Sequence, residues 1–358
     1  MAKVTITDVA REAGVSLGTV SNALNHPSKV KPTTLEAVQR AMDRLGYLPN
    51  QSARVLAGGQ SKVFGLIIPT LSHGFSLQIA NGAHNEALRS GYSLLIANSG
   101  GVDEVEQRQI RYFMSTQVAG IMVEPERTIA WQPTNTRSIP TVYLDIRSDK
   151  PGYFVAADNF TQGALVAEHA LARGARHVVE IGRTEFKKLS LRSEGIHTIM
   201  SKNENIRFEH IDEGAWDVAH DGFRIGERLA ARPPQDRPDF IIALTDVLAT
   251  GAIEGVRSMH LSVPEDIAVA GCDGNPLAWS SGVSLTTCAP PGYEIGRRGV
   301  QMLIEQIEDR SLALEQGDSQ PDRKNHQQLV RPFLLPRAST GCSRPTESDA
   351  NMDLGSYL

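Results

Sequence analysis

Two hydrophobic patterns divide the chain. Up to residue 45 apolar residues recur at helical spacing, whereas from Val63 short apolar runs alternate with longer helical stretches. In the first part Val9, Ala10 and Ala13 make one stripe, and Val20, Ala23 and Leu24 a second at i, i+3 and i+4. Thr5 and Asp8 have capping-box spacing, Gly14 ends the first helix, and Ser16 caps the second. A third helix is expected from Pro32, with Thr33-x-x-Glu36 as its capping box, Leu35, Val38, Met42 and Leu45 on its buried stripe, and Gly46 closing it. Beyond it, Asn50 can cap one short helix over residues 51–56. About six residues are too few to hold a helix alone in water, so this piece is expected to order only when something binds it.

The second pattern predicts strands over residues 63–68, 93–97, 120–123, 141–144, 177–181, 240–244 and 267–270. Helices are expected between them, over residues 77–88, 105–113, 162–171, 191–200, 218–229, 249–259 and 295–307, with an exposed loop at 310–326 and closing strands at 327–335. Such alternation means parallel sheets covered by helices on both faces. About 280 residues exceed one ordinary sheet, so two doubly wound lobes are expected, similar to a periplasmic binding protein, with ligands held in the cleft at the carboxyl ends of the strands. The resulting division is a helix-turn-helix head at 1–46, a connecting segment at 47–61, a two-lobed ligand-binding body at 62–341, and a polar, disordered tail at 342–358.

Charge sharpens the division. The 358-residue chain is −5 overall, yet residues 1–62 hold eight basic against four acidic side chains, a net +4, leaving 28 against 37, a net −9, for the rest. A basic head on an acidic body is the asymmetry expected when only the head meets phosphate. The face of the second helix that does not pack back carries Leu17, Gly18, Ser21, Asn22 and Asn25, uncharged groups suited to phosphates and base edges. Three cysteines without CxxC spacing fit a reducing cytoplasm. No secretory signal or membrane-length apolar run is present, and no cofactor or membrane partner is expected. The chain lacks HExxH and phosphate-loop signatures, which argues against an enzyme. Its ten histidines are scattered, and His169 and His177 are expected to be surface residues and not metal ligands. A transport receptor would share the two lobes but carry an export signal and no DNA head.

Thr5-x-x-Asp8-Val9-Ala10-x-x-Ala13-Gly14-Val15-Ser16-x-x-Thr19-Val20-Ser21-x-x-Leu24-Asn25, followed by Gly46-Tyr47-x-Pro49-Asn50-x-x-Ala53-Arg54-x-Leu56, closely resembles the lactose/galactose repressor family of bacterial transcription regulators. The likeness continues through Gly65-Leu66-Ile67-Ile68-Pro69, Asp158-Asn159, Thr245-Asp246-x-x-Ala249 and Val263-Pro264-Glu265-Asp266-Ile267 to about residue 341. It implies a homodimer whose two heads read a palindromic operator while a small effector in the cleft alters DNA affinity. The absence of a C-terminal heptad favours dimer over tetramer. Leu17, Gly18 and Asn22 then sit where the family reads bases. Thr5, Ser16, Thr19, Ser21 and Asn25 serve as phosphate contacts or caps. Asn50, Ala53, Arg54 and Leu56 fall in the hinge, Leu56 at the leucine that wedges into the minor groove and kinks it.

The resemblance also places Phe75, Asp145, Arg192, Trp216, Asp246 and Asp273 where family members hold ligands. Such carboxylates, a guanidinium and aromatic faces suit a sugar or related polyol, although Arg192 is also the residue best placed for a purely structural ion pair. Three departures keep a charged effector, or a purine-type co-repressor, open: Thr245 replaces the usual Asn, Glu124 follows its strand where many members are neutral, and Lys188 adds a cation upstream of Arg192.

Overall fold

The structure is a computed structural model that describes residues 4–25, 27–47, 61–71, 74–125, 139–212, 218–275, 282–315 and 325–342. The hinge residues Asn50, Ala53, Arg54 and Leu56, the cleft candidate Trp216 and the tail from 343 lie outside the described residues. The chain forms a head within Met1–Lys62 and a body that begins at Val63.

Among the described residues the head is three α-helices: α1 (Ile6–Ala13), α2 (Leu17–Asn25) and α3 (Pro32–Leu45). Asp8 reaches back to accept from the Thr5 amide at 3.0 Å and its Oγ1 at 2.7 Å. Gly14 closes α1 in the left-handed region, φ 66°. The Thr19 amide donates to Ser16 Oγ at 3.1 Å, capping α2. Helix α3 starts at Pro32 as expected, but Lys31 and not Thr33 is its N-cap, because proline's fixed φ suits the first turn better than the interior. Val9, Ala10, Val20, Val38, Ala41 and Met42 make one small buried core.

The body is two six-stranded sheets. In the first lobe the order is β11-β5-β4-β3-β1-β2, from β1 (Val63–Ile68), β2 (Ser93–Asn98), β3 (Gly120–Val123), β4 (Thr141–Leu144), β5 (Gly152–Ala157) and β11 (Asn325–Val330), all parallel. In the second lobe it is β12-β10-β9-β8-β6-β7, from β6 (His177–Ile181), β7 (Arg207–Ile211), β8 (Phe240–Ala243), β9 (Ala268–Cys272), β10 (Thr286–Ala289) and β12 (Phe333–Leu335), with β12 alone antiparallel. Helices α4 (Gly74–Arg89), α5 (Asp103–Ser115) and α10 (Gly292–Glu315) belong to the first lobe. Helices α6 (Asn159–Ala172), α7 (Lys187–Met200), α8 (Ala219–Ala230) and α9 (Asp246–Ser258) belong to the second.

Three strands escape the hydrophobic pattern. β7 alternates charge with apolar residues because it is an edge strand. β10 buries threonines whose hydroxyls are bonded, so polarity hides its burial. β5 follows β4 with no helix between them, so it falls outside the strand-helix alternation. Helix α10 continues to Glu315 and absorbs the start of the expected loop, since its last turns are rich in Ala, Leu and Glu.

Helix pairs approach at glycine contacts. A Cβ on Gly163 of α6 would lie 1.9 Å from the Arg192 carbonyl of α7, and one on Gly195 2.1 Å from that of Phe160. Gly222, Gly226, Gly251 and Gly255 do the same for α8 and α9, and Gly82 and Gly296 for α4 and α10. Backbone thus meets backbone, and the helices of each pair are held against one another at short range.

Candidate functional site

In the head, α2 is held by Val20, fully buried, while Leu17 is half exposed and Gly18 and Asn22 face outward. Ser16 and Thr19 also bond to each other, Oγ to Oγ1 at 2.8 Å, so these two hydroxyls and Thr5 act as caps. Asp8 sits below the usual carboxylate range because it accepts from Thr5, with Arg11 adding its charge. Arg44 is tied to Glu12 at 3.1 Å. The head therefore presents a rigid helix with an uncharged, mixed apolar and amide face.

In the body, the carboxyl ends of the strands gather charge. Glu124 follows β3, Asp145 follows β4, Asp273 follows β9, and Lys188 and Arg192 lie on α7 after β6. Phe75, Ser76 and Gln78 occupy the first turns of α4 after β1 and are buried. Arg192 is the centre. Its Nε donates to Asn159 Oδ1 at 2.9 Å, and its Nη1 to Asp273 Oδ1 at 2.8 Å and the Leu244 carbonyl at 2.7 Å. The structural pairing expected for Arg192 is thus with Asp273. Burial works against the Arg192 cation, but the Asp273 carboxylate outweighs it and the pKa moves up.

Lys188 reaches from the second lobe to Asp145 in the first, Nζ to Oδ2 at 3.6 Å. Burial raises the Asp145 pKa more than Lys188 and Arg192 lower it. Burial alone would lower Lys188, yet Asp145, with Asp273 and Glu124, holds it above the usual lysine value. Asp145 also adopts φ 55°, a left-handed conformation that Asp tolerates better than most residues. Gln78 makes a second link between lobes, donating to the Gly274 carbonyl at 3.2 Å while its Oε1 accepts from the Gly292 amide at 3.1 Å.

Asp246 turns out differently from the sequence expectation. It is almost fully buried, accepts from Thr287 Oγ1 at 2.7 Å and from the Asn275 amide at 2.6 Å, and its pKa is pushed up to about 7 by burial and then by Asp273. One oxygen holds β10 through Thr287 and the other the loop after β9 through Asn275, while the Asp246 amide donates to Asp273 Oδ2 at 3.4 Å, so Asp246 positions Asp273 instead of facing the cleft. The three departures also find roles. Thr245 caps α9 through Leu248, Glu124 accepts from Ser76 Oγ at 3.0 Å, and Lys188 balances Asp145. Sequence reasoning missed Gln78, Asn159, Asn275 and Thr287. Gln78 was detectable as a polar residue on an otherwise apolar helix stripe, and Asn159 lies inside the Asp158-Asn159 motif.

His177 is buried and not a surface residue, and His169 is half-buried. His169 is bonded to Thr340 Oγ1 at 2.9 Å, and His177 is buried between Glu209 Oε1 at 2.8 Å and the Arg237 carbonyl. Among the described residues no helix is long and apolar enough to cross a membrane.

Comparison with known proteins agrees with this division. Residues 5–50 match the model of bacterial regulatory proteins, lacI family, and residues 167–340 match a periplasmic binding protein-like domain. A ribose operon repressor from Halalkalibacterium halodurans is 31% identical over 314 residues, covering 86% of this chain and 92% of the relative. The transcriptional repressor PurR of Vibrio vulnificus is 28% identical over 312 residues, with the same coverage of 86% and 92%. A crystal structure of the Lac repressor dimer bound to operator and an anti-inducer superposes with TM-score 0.74 at 26% identity, over 95% of this chain and 99% of that one. A complex of the transcriptional regulator CelR with cellobiose shares the fold, with TM-score 0.62 at 21% identity over 94% of this chain and all of that one.

Proposed function

The chain belongs to the lacI family of bacterial regulatory proteins, and on that footing we propose that it is a repressor acting in the cytoplasm as a homodimer. Two heads grip a palindromic operator, and a hydroxyl-rich small molecule, a sugar or related polyol, enters the cleft and shifts the population of lobe arrangements. One observation carries the reading. Asp145 from the first lobe and Lys188, Arg192 and Asp273 from the second converge at the carboxyl ends of the strands.

A hydroxyl group both donates and accepts, so a polyol can bond to the carboxylates and the cations of this set together. Arg192 spends Nε and Nη1 on the protein, and none of those bonds uses Nη2, the edge we assign to the ligand. Phe75 is placed to border the apolar face of a sugar ring. In the head, Asn22 is assigned to an adenine edge and Leu17 to a thymine methyl, while the hinge from Asn50 to Leu56 orders on DNA with Leu56 as its wedge. Leu77, Leu88, Leu95 and Ile96, exposed on α4 and β2, support self-association through the first lobe.

The test uses the full-length protein. Selection from random duplexes should enrich a two-fold-symmetric site, and failure to enrich any sequence would overturn the head assignment. Thermal unfolding against sugars, polyols, sugar phosphates and purines should then find a stabilising ligand, since 100 times the dissociation constant adds about 2.7 kcal/mol. A sugar or polyol hit lost in Asp145→Asn supports the cleft assignment; a purine hit would move the effector class to the co-repressor alternative.

A further inference from the structure

We propose that Glu180, His197 and His210 form a binding site for a divalent transition-metal ion, with Zn2+ the ion that their ligand chemistry fits best. The site lies in the second lobe, and the repressor reading neither uses it nor requires it. Glu180 on β6 and His210 on β7 are directly paired in register. Their side chains, with that of Phe208, point to the face covered by α7, whose apolar layer includes Val178, Ile196 and Met200. His197 of α7 closes the third side, its ring edge-on to Phe208 at 4.7 Å between centroids.

A carboxylate in that layer demands an explanation. Glu180 is fully buried, and neither of its oxygens has a hydrogen-bond partner. His210 Nδ1 is 3.0 Å from Oε1 but out of hydrogen-bonding alignment, and His197 Nε2 is 3.6 Å from Oε2. Lone pairs of a carboxylate and two imidazoles are therefore turned toward one point, with all three ligand atoms within 4.8 Å of one another. An ion among them reaches bond lengths of about 2.0–2.2 Å after a ring movement of under about 1 Å. The half-exposed His197 is free to make that movement and gives the ion its way in.

Two imidazoles and one carboxylate with an open fourth position are a borderline-soft set that suits Zn2+, Co2+ or Ni2+ far better than Mg2+ or Ca2+. Proton and ion thus compete, and affinity rises with pH as the imidazoles lose their protons. Because α7 also carries Lys188 and Arg192, an ion here ties the cleft's cations to the β6–β7 edge.

The experiment is calorimetric titration of the untagged full-length protein, stripped with EDTA, with Zn2+ at pH 7.5 in two buffers of different ionisation enthalpy. Visible absorption with Co2+ reports the geometry. One ion per chain is expected, with proton release, Co2+ bands of a four- or five-coordinate site, and a loss of affinity of about tenfold or more in His197→Gln. His197 is half exposed, so this variant should melt with the parent in EDTA. Glu180→Gln serves as second variant and should abolish the Co2+ bands. No binding overturns the proposal, and so does binding that His197→Gln leaves unchanged, which places the ion elsewhere.

Discussion

Replacing Gly163 by alanine tests how the α6–α7 contact supports the cleft. The new Cβ would stand 1.9 Å from the Arg192 carbonyl oxygen. A comfortable C···O contact is about 3.3 Å, so the helices must part by about 1.4 Å locally. A gap of that order forfeits a quarter to a half of the dispersion at the contact, and overpacked sites cost about 1–3 kcal/mol, more when backbone opposes backbone. The layer affected includes Val166, Ala167, Ala170, Leu189 and Ile196. Against this stands a gain of about 1 kcal/mol in helix propensity. The net expectation is a loss of about 2 kcal/mol, a fall of about 3–4 °C in the thermal midpoint of a body this size. Gly195→Ala, which meets the Phe160 carbonyl at 2.1 Å, should fall similarly. The double variant should cost less than the sum, because helices already parted accept the second Cβ more easily. Since the displaced atom is the carbonyl of Arg192 itself, the variant should also respond less to effector. A midpoint that rises, as propensity alone dictates, would refute the reasoning.

Lys188→Gln leaves Asp145 buried without its cation and should cost about 1–2 kcal/mol at pH 7. Because Asp145 has a raised folded pKa, the folded state binds more protons than the unfolded one above the unfolded value, so this deficit should shrink on going from pH 7 to pH 5; urea midpoints at the two pH values check it. Glu294 accepts from Arg297 and Arg298 and its pKa is lowered to about 2, so its contribution is present above the unfolded value of about 4.3 and lost as pH falls toward 2. Glu294→Gln should therefore cost about 1 kcal/mol between pH 5 and 7, with the difference from the parent narrowing below pH 4 in denaturant titrations. Asn22→Ala should change the duplex selected from a random pool, whereas Ser21→Ala should weaken all sequences alike; selection of the parent's site by Asn22→Ala would remove base reading from that position. Leu56→Ala should lower operator affinity in anisotropy titrations and leave effector affinity unchanged.

The parts most legible in the sequence were those in which periodicity and burial agree. The caps at Thr5, Gly14 and Ser16 follow from local chemistry, and β1, β3 and β8 are unbroken apolar runs because both their faces are covered. Legibility failed where polar residues are buried and bonded. Thr286 and Thr287 lie in a strand that the apolar pattern leaves out, and Asp246 reads as a ligand contact although its oxygens serve Thr287 and Asn275. Glu180, His197 and His210 lie far apart in sequence and meet only through strand register and helix packing, so no spacing rule could join them. Arg192 follows its structural reading, since it is paired with Asp273.

The energetics of the cleft bear on the charge of the effector. A ligand that moves a two-state equilibrium from 1:99 to 99:1 must prefer one state by about 5.5 kcal/mol. Hydrogen bonds to charged groups contribute about 1.5–3 kcal/mol each, so two to four of them, made in one lobe arrangement only, suffice. Asp145, Lys188, Arg192 and Asp273 offer that number. Lys188 and Asp145 already bridge the lobes, so a ligand entering between them must replace the bridge. A neutral hydroxyl can, by donating to Asp145 and accepting from Lys188. An anion pairs with Lys188 but leaves Asp145 facing like charge in a buried position, and that carboxyl then takes up a proton, its pKa already being raised. Binding of an anion is thereby coupled to proton uptake and should strengthen as pH falls from 8 to 6, whereas binding of a neutral polyol should stay level. Calorimetric affinities of a sugar and its phosphate at the two pH values distinguish the cases. Equal pH dependence for both would show that Lys188 and Asp145 do not face the ligand together.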